Sequence, residues 1–358
     1  VTLNGLDHSF DADVIVSGDA ADSFEITGDI EIGSGDVSIS TGRVEIDGIL
    51  TTSHSNVTIV AEDTFSITEL GGLQNRSGAV RIDASGIEMN GSIEAFGGTV
   101  FLDSGDSGTT QVSGRIDVSN QQPGQFGGEV RVLGMHVGLT DHALIDVSGD
   151  SGGGVALIGG DYQGSNPLVR NAQRTFVGED VVLIADAIGE GDGGKVIVWG
   201  DDWTRYYGTI FSRGGSRSGD GGLAEVSGKG WLAFQGQADL TAANGQAGTL
   251  LLDPTNITIE TNATNQDTSL TTDGQVLFTD ASPDDYVIQP TAFSGISGDL
   301  ILQATNDIII SEAITLSNTV TSLTLLAGNN IDIDANITAS GTTNLIFTAD
   351  ANDPSDPP

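Results

Sequence analysis

The residues of this chain whose types could do chemistry gather around one stretch. Asp161, Asp201, Asp202, Arg205 and Tyr206 lie beside Trp199 and Trp203. Two or three carboxylates converging next to a cation are what cleavage of a polysaccharide needs, one carboxyl as acid and another as base or nucleophile. An aromatic platform edged by carboxylates can also hold a sugar ring. Packing competes with both readings. Asp201 and Asp202 can simply end a strand at a turn, while Trp203, Tyr206 and Tyr207 cover a side insertion at 161–180. Packing leads, glycan contact through Asp161, Trp199, Asp201, Asp202, Trp203, Arg205 and Tyr206 comes second, and catalysis third.

A second set of acidic residues sits in turns. Asp103 and Asp106, Glu190 and Asp192, and Asp220 each stand in Gly- or Ser-rich segments. Such turns bring hard oxygen ligands close together, so calcium is the one cofactor whose chemistry they could supply. No tandem nonapeptide repeat accompanies them, and single Asp-Gly turns mostly serve backbone geometry. Diffuse screening of the acidic surface by divalent ions is the broader expectation. Neither a nucleophile elbow nor a phosphate-binding loop is found, and no cofactor is otherwise called for.

The elements that position these residues follow from composition and repeats. The 358 residues carry 50 Asp+Glu against 12 Lys+Arg, a formal net charge of −38. A surface this negative repels nucleic acid and anionic membranes alike. With no cysteine, disulfide frameworks, thiolate metal sites and thiol nucleophiles fall away. No apolar stretch approaches the roughly 18 residues needed for membrane insertion. A hydrophobic content of 37% nevertheless suffices for a core, which excludes wholesale disorder. The chain begins at Val1, without an initiator Met or a signal peptide, and reads as a processed or excerpted piece of a larger product.

A Gly followed by alternating apolar residues recurs along the chain, at Gly78, Gly98, Gly128, Gly154, Gly194, Gly222 and Gly248. Further short strands precede these turns, as in Arg115-Ile116-Asp117-Val118-Ser119 and Leu144-Ile145-Asp146-Val147-Ser148. Each unit holds two or three strands of period 2, and one such unit cannot bury its apolar face alone. Stacked units can, because each strand pairs with its equivalents above and below. The sequence thus predicts an all-β right-handed parallel β-helix, a β-solenoid of roughly 13–17 coils, about 60–80 Å long. A main solenoid is expected over 1–254 and a further stretch over 255–350 after a Thr/Asn-rich break. A Pro/Asp linker is expected over 351–358.

Several runs resemble filamentous haemagglutinin-type exoproteins: Ile158-Gly159-Gly160-Asp161-Tyr162-Gln163-Gly164, Asn171-Ala172-Gln173-Arg174-Thr175-Phe176-Val177-Gly178, Gly193-Gly194-Lys195-Val196-Ile197-Val198-Trp199, Leu251-Leu252-Asp253-Pro254-Thr255-Asn256-Ile257-Thr258-Ile259 and Leu325-Leu326-Ala327-Gly328-Asn329-Asn330-Ile331. The resemblance is densest over 115–335. It implies export by two-partner secretion through a dedicated outer-membrane partner transporter, and an extracellular or cell-surface task in adhesion or fibre formation. The family's transporter-recognition module would lie upstream, and its signature is not found here. The matching motifs are structural and carry no catalytic residues.

The expectation is therefore a non-enzymatic, extracellular structural protein. It would form a surface fibre or matrix filament by head-to-tail self-stacking, a contact that does not close on itself. The alternative is an adhesin shaft that binds surface glycans, and the third reading is a polysaccharide lyase or hydrolase.

Overall fold

The computed structural model describes residues 2–3, 8–53, 55–261, 286–339 and 341–350. The chain winds as a parallel β-helix whose strands stack in three ladders, every strand pair being parallel. The first face runs from Val14–Ser17 through Val37–Thr41, Val57–Ile67, Ala79–Met89, Thr99–Asp103, Glu129–Leu133, Val155–Ile158, Lys195–Gly200, Leu223–Gly228, Thr249–Leu252, Ile296–Ala304 and Val320–Ala327 to Asn344–Thr348. These thirteen stacked strands span about 60 Å at the usual strand spacing.

Alternation decides what is inside. On the first face one inward column reads Val37, Val57, Val80, Val100, Val130, Ala156, Val196, Ala224, Leu250, Leu300 and Leu323, each in register with the next. All are buried in a single continuous core. Each such aliphatic side chain contributes about 1.5–3 kcal/mol on burial, less for Ala. The second face stacks strands including His136–Leu139, Arg174–Val177, Trp203–Tyr206 and Trp231–Phe234. The third stacks Ser92–Ala95, Arg115–Asp117, Leu144–Asp146, Val182–Ile184, Thr209–Phe211 and Gln237–Asp239.

The recurring glycines mark the corner that opens the first face. A Cβ on Gly98 would lie 2.1 Å from the carbonyl oxygen of Gly78, and one on Gly128 would lie 2.2 Å from that of Gly98. The same contact repeats for Gly154, Gly194, Gly222 and Gly248, each against the glycine one coil earlier. Here the corners of successive coils approach so closely that only hydrogen fits, which is why the repeat is written in glycine.

The ladders run on beyond the Thr/Asn-rich stretch. Thr249–Leu252 pairs directly with Ile296–Ala304. Ile288 is wedged into the second-face ladder, bridged to Phe234 on one side and Ile259 on the other. The expected linker at 351–358, and most of the break between 255 and 285, lie outside the described residues.

Candidate functional site

Between Ile158 and Arg174 the chain leaves the coil and lies along the outside of the first face as a strap. It occupies the earlier part of the insertion expected at 161–180, since Arg174–Val177 is already back in the second-face ladder. At one end the Arg170 guanidinium contacts Asp103 at 3.1 Å and also Asp106. In the middle, Val169 packs with Leu133, Leu157, Ile197 and Trp199 in a small outer core. At the other end Gln163 reaches Glu225 and Asp253. Asp103 and Asp253 belong to coils five ladder steps apart, about 24 Å along the axis.

Close contacts fix the strap on Trp199. A Cβ on Gly164 would lie 2.5 Å from the indole ring, so the backbone sits directly on it. The indole Nε1 donates to Asp201 at 2.9 Å, and Asn171 Nδ2 donates to the same oxygen at 3.2 Å. Asp161 accepts from Lys195 Nζ at 2.9 Å, Asn166 Nδ2 at 2.7 Å and the Tyr162 N–H at 2.7 Å. Burial alone would raise the Asp161 carboxyl, but these three donors hold it below its ordinary value.

Under the strap's far end lie two buried acids. Glu225 is 0% exposed and accepts the Gln163 N–H at 2.9 and 3.2 Å. Burial pushes its carboxyl up to about 7, against the lowering effect of Gln163 and Ser227. Asp253, one coil on, accepts Gln163 Nε2 at 3.1 Å, and burial raises it to about 6. Gln163 itself has φ 52°, a left-handed conformation that costs a non-glycine residue about 1–2 kcal/mol.

A second feature lies on the neighbouring face. Arg174, Asp201, Asp202, Trp203, Gly230, Trp231 and Tyr286 line a shallow cleft of about 270 Å³. Trp203 and Trp231 are in register on adjacent strands, and Tyr286 lies against both, at 6.2 and 6.0 Å between ring centroids. Arg205 stacks over Trp203 at 5.3 Å and over Tyr286 at 4.9 Å. Trp231 remains 46% exposed, and Asp202 pairs with Arg174 at 3.6 Å.

The seven residues singled out from sequence therefore separate into three places. Asp161, Trp199 and Asp201 hold the strap, with Asp201 also edging the cleft; Asp202, Trp203 and Arg205 belong to the cleft region. Tyr206 faces inward, 0% exposed and stacked on Phe234 at 5.6 Å. Burial raises its phenol well above the ordinary value, and its hydroxyl has no hydrogen-bond partner.

The acidic turn residues are likewise apart. Asp103 and Asp106 meet at Arg170. Asp192 accepts the Asp220 N–H at 2.8 Å, Asp220 accepts the Gln246 N–H at 2.7 Å, and Glu190 lies 3.9 Å from Arg217. Each of these turn carboxylates thus has a protein partner in the next coil or in the strap. Among the described residues no group of three His, Asp or Glu side chains is placed to hold a metal ion.

Sequence reading missed Gln163, Arg174, Glu225, Trp231, Asp253 and Tyr286. A signal for the strap was present. In Ala156-Leu157-Ile158, Val196-Ile197-Val198 and Leu250-Leu251-Leu252 the alternation gives way to unbroken apolar runs, which means both faces of the strand are covered.

No family model matches the chain, and no curated protein sequence matches it. Among solved structures the HMW1 secretion domain from Haemophilus influenzae is similar, with a TM-score of 0.55 and 22% identity, over 64% of this chain and 66% of that one. The chain matches somewhat less than two thirds of that structure's length. At this identity the likeness is one of fold, and it sets the chain among parallel β-helices.

Proposed function

We propose that this chain is a β-helical portion of a secreted exoprotein, exported across the outer membrane by a partner transporter and acting as a structural shaft outside the cell. The observation that carries the reading is the fold shared with a domain whose described task is secretion. The unbroken first-face ladder supports the mechanical part, because stacked coils with a continuous aliphatic core make a stiff rod. Export is tested by placing the chain behind a periplasmic export signal and a two-partner recognition module in a Gram-negative host, with and without the matching transporter. The expected result is chain in the medium only when the transporter is present. Chain confined to the periplasm in both cases overturns the reading.

Head-to-tail stacking into filaments is the assembly we favour. The unbroken ladder supports it, since coil after coil already stacks on the next by the same parallel pairing. Electron microscopy in millimolar calcium and then in chelator decides. Filaments in calcium support stacking, and separate short rods under both conditions overturn it.

Glycan binding is the second reading, favoured by the cleft that pairs half-exposed Trp231 with Asp202 and Arg174. Trp231→Ala is expected to abolish binding on a glycan array with the fold intact. An array profile that the substitution leaves unchanged removes the proposal.

A further inference from the structure

The strap is a separate element that meets two buried acids at one end. Its central contacts are apolar and indifferent to pH: Val169 and Gly164 seat on Leu157, Ile197 and Trp199. Its far end is held through Gln163, whose N–H meets Glu225 and whose side-chain amide meets Asp253, and through Asp161, which accepts from Lys195. Gln163 adopts its left-handed conformation at this point, so local strain is stored where the hold is made.

The charged groups facing Glu225 come from every element around it. Asp161 and Tyr162 lie on the strap, and Asp253 on the following coil. Ser227 follows on its own strand and donates its side-chain hydrogen bond, while Gln303, one coil beyond Asp253, faces that acid at 3.5 Å. Lys195, on the preceding coil, is bonded to Asp161. The balance is negative: three carboxyls against one ammonium that already has a partner. With Glu225 protonated, its buried site holds a neutral group. With Glu225 and Asp253 both ionised, two like charges lie close together in a poorly solvated place, an arrangement relieved when water enters.

We propose that the strap at 159–173 is a proton-operated latch. It lies closed over Trp199 while Glu225 and Asp253 retain a proton between them, and it lifts when both ionise. The burial that raises both carboxyls places this transition near neutrality, with Asp253 at about 6 and Glu225 at about 7. Lifting uncovers Leu157, Ile197 and Trp199 on the outer surface of the first face.

The test is hydrogen–deuterium exchange of the whole chain from pH 5.5 to 8, each rate corrected for intrinsic exchange. Peptides covering 159–173 report the latch, and peptides over the first-face strand at 79–89 serve as internal reference. Protection of the strap is expected to fall about tenfold or more with rising pH while the reference stays constant. In the double variant Glu225→Gln, Asp253→Asn the strap keeps its acid-state protection throughout. A strap whose protection does not change with pH overturns the proposal, and so does a double variant that still loses protection. If the double variant fails to fold, as its reference peptide would show, Gln163→Ala replaces it. That variant keeps the Glu225 contact but frees Asp253, and must lower strap protection at pH 5.5.

Discussion

Glu225 accepts the backbone N–H of Gln163 from 62 residues away in the chain, through both carboxylate oxygens, without any exposure to solvent. This bond joins the strap to a coil it would otherwise only lie against. Burial of the same carboxyl outweighs the lowering effect of that bond and sets the sign of this group's pH dependence. The Glu225 carboxyl stands at about 7 when folded and near 4.5 when unfolded, so between those values the native state binds the extra proton. Stability from this group is then greatest below about pH 4.5, falls as pH rises, and is flat above about 7. The whole change is on the order of 3 kcal/mol. The melting midpoint of the wild type is expected to drop between pH 5 and 8, and that of Glu225→Gln to drop less. Equal slopes in the two proteins would contradict this account.

The glycine ladder makes a sharp contrast between two substitutions. A methyl group on Gly128 meets the Gly98 carbonyl at 2.2 Å, whereas nothing lies within 4 Å of one on Gly105. Gly128→Ala must push two coils apart and is expected to cost about 3 kcal/mol. Gly105→Ala suffers only the strain of its φ of 76°, about 1 kcal/mol. Denaturant unfolding of the two variants checks the order, and a Gly105→Ala that is the worse of the two would refute the steric reason.

Tyr206 carries a phenol hydroxyl with no partner inside the core. Removing it leaves the stack on Phe234 in place. Tyr206→Phe is therefore expected to be neutral or to stabilise by about 1 kcal/mol, since a desolvated, unpaired hydroxyl is lost. It should also leave any glycan profile untouched. A clear loss of stability in thermal melts would mean that the hydroxyl is satisfied after all.

Asp220 tests what the acidic turns are for. Its Oδ1 accepts the Gln246 N–H of the next coil, a bond that an amide oxygen can also accept. Asp220→Asn should be nearly neutral, and Asp220→Ala should cost about 1 kcal/mol. If both variants instead lose the same stability, and only when calcium is present, the turn binds the ion.

The gain or loss of legibility follows particular residues. Val80, Val100 and Val130 declare the ladder from sequence, because period 2 sends every second side chain inward and a glycine ahead of each strand marks the corner. The same parity places Tyr206 inside with Thr204, and Trp203 and Arg205 outside, once the strand's start is known. Sequence alone grouped Tyr206 with its neighbours as a surface cluster, since Trp203, Arg205, Tyr206 and Tyr207, all aromatic or charged, hide the phase.

What the amino-acid order determined by itself is the repeating coil, the aliphatic core and the strongly acidic exterior. These depend on interactions between equivalent positions of adjacent units, so the pattern repeats and can be read. Only the tertiary structure decided that Gln163 lies on Glu225 and Asp253, that Arg170 ties Asp103 to Asp106, and that Tyr286 closes on Trp203 and Trp231. Those contacts occur once, between segments far apart in the chain. Alternation tells which side of a strand a residue occupies, but it carries no information about which distant segment comes to cover that side.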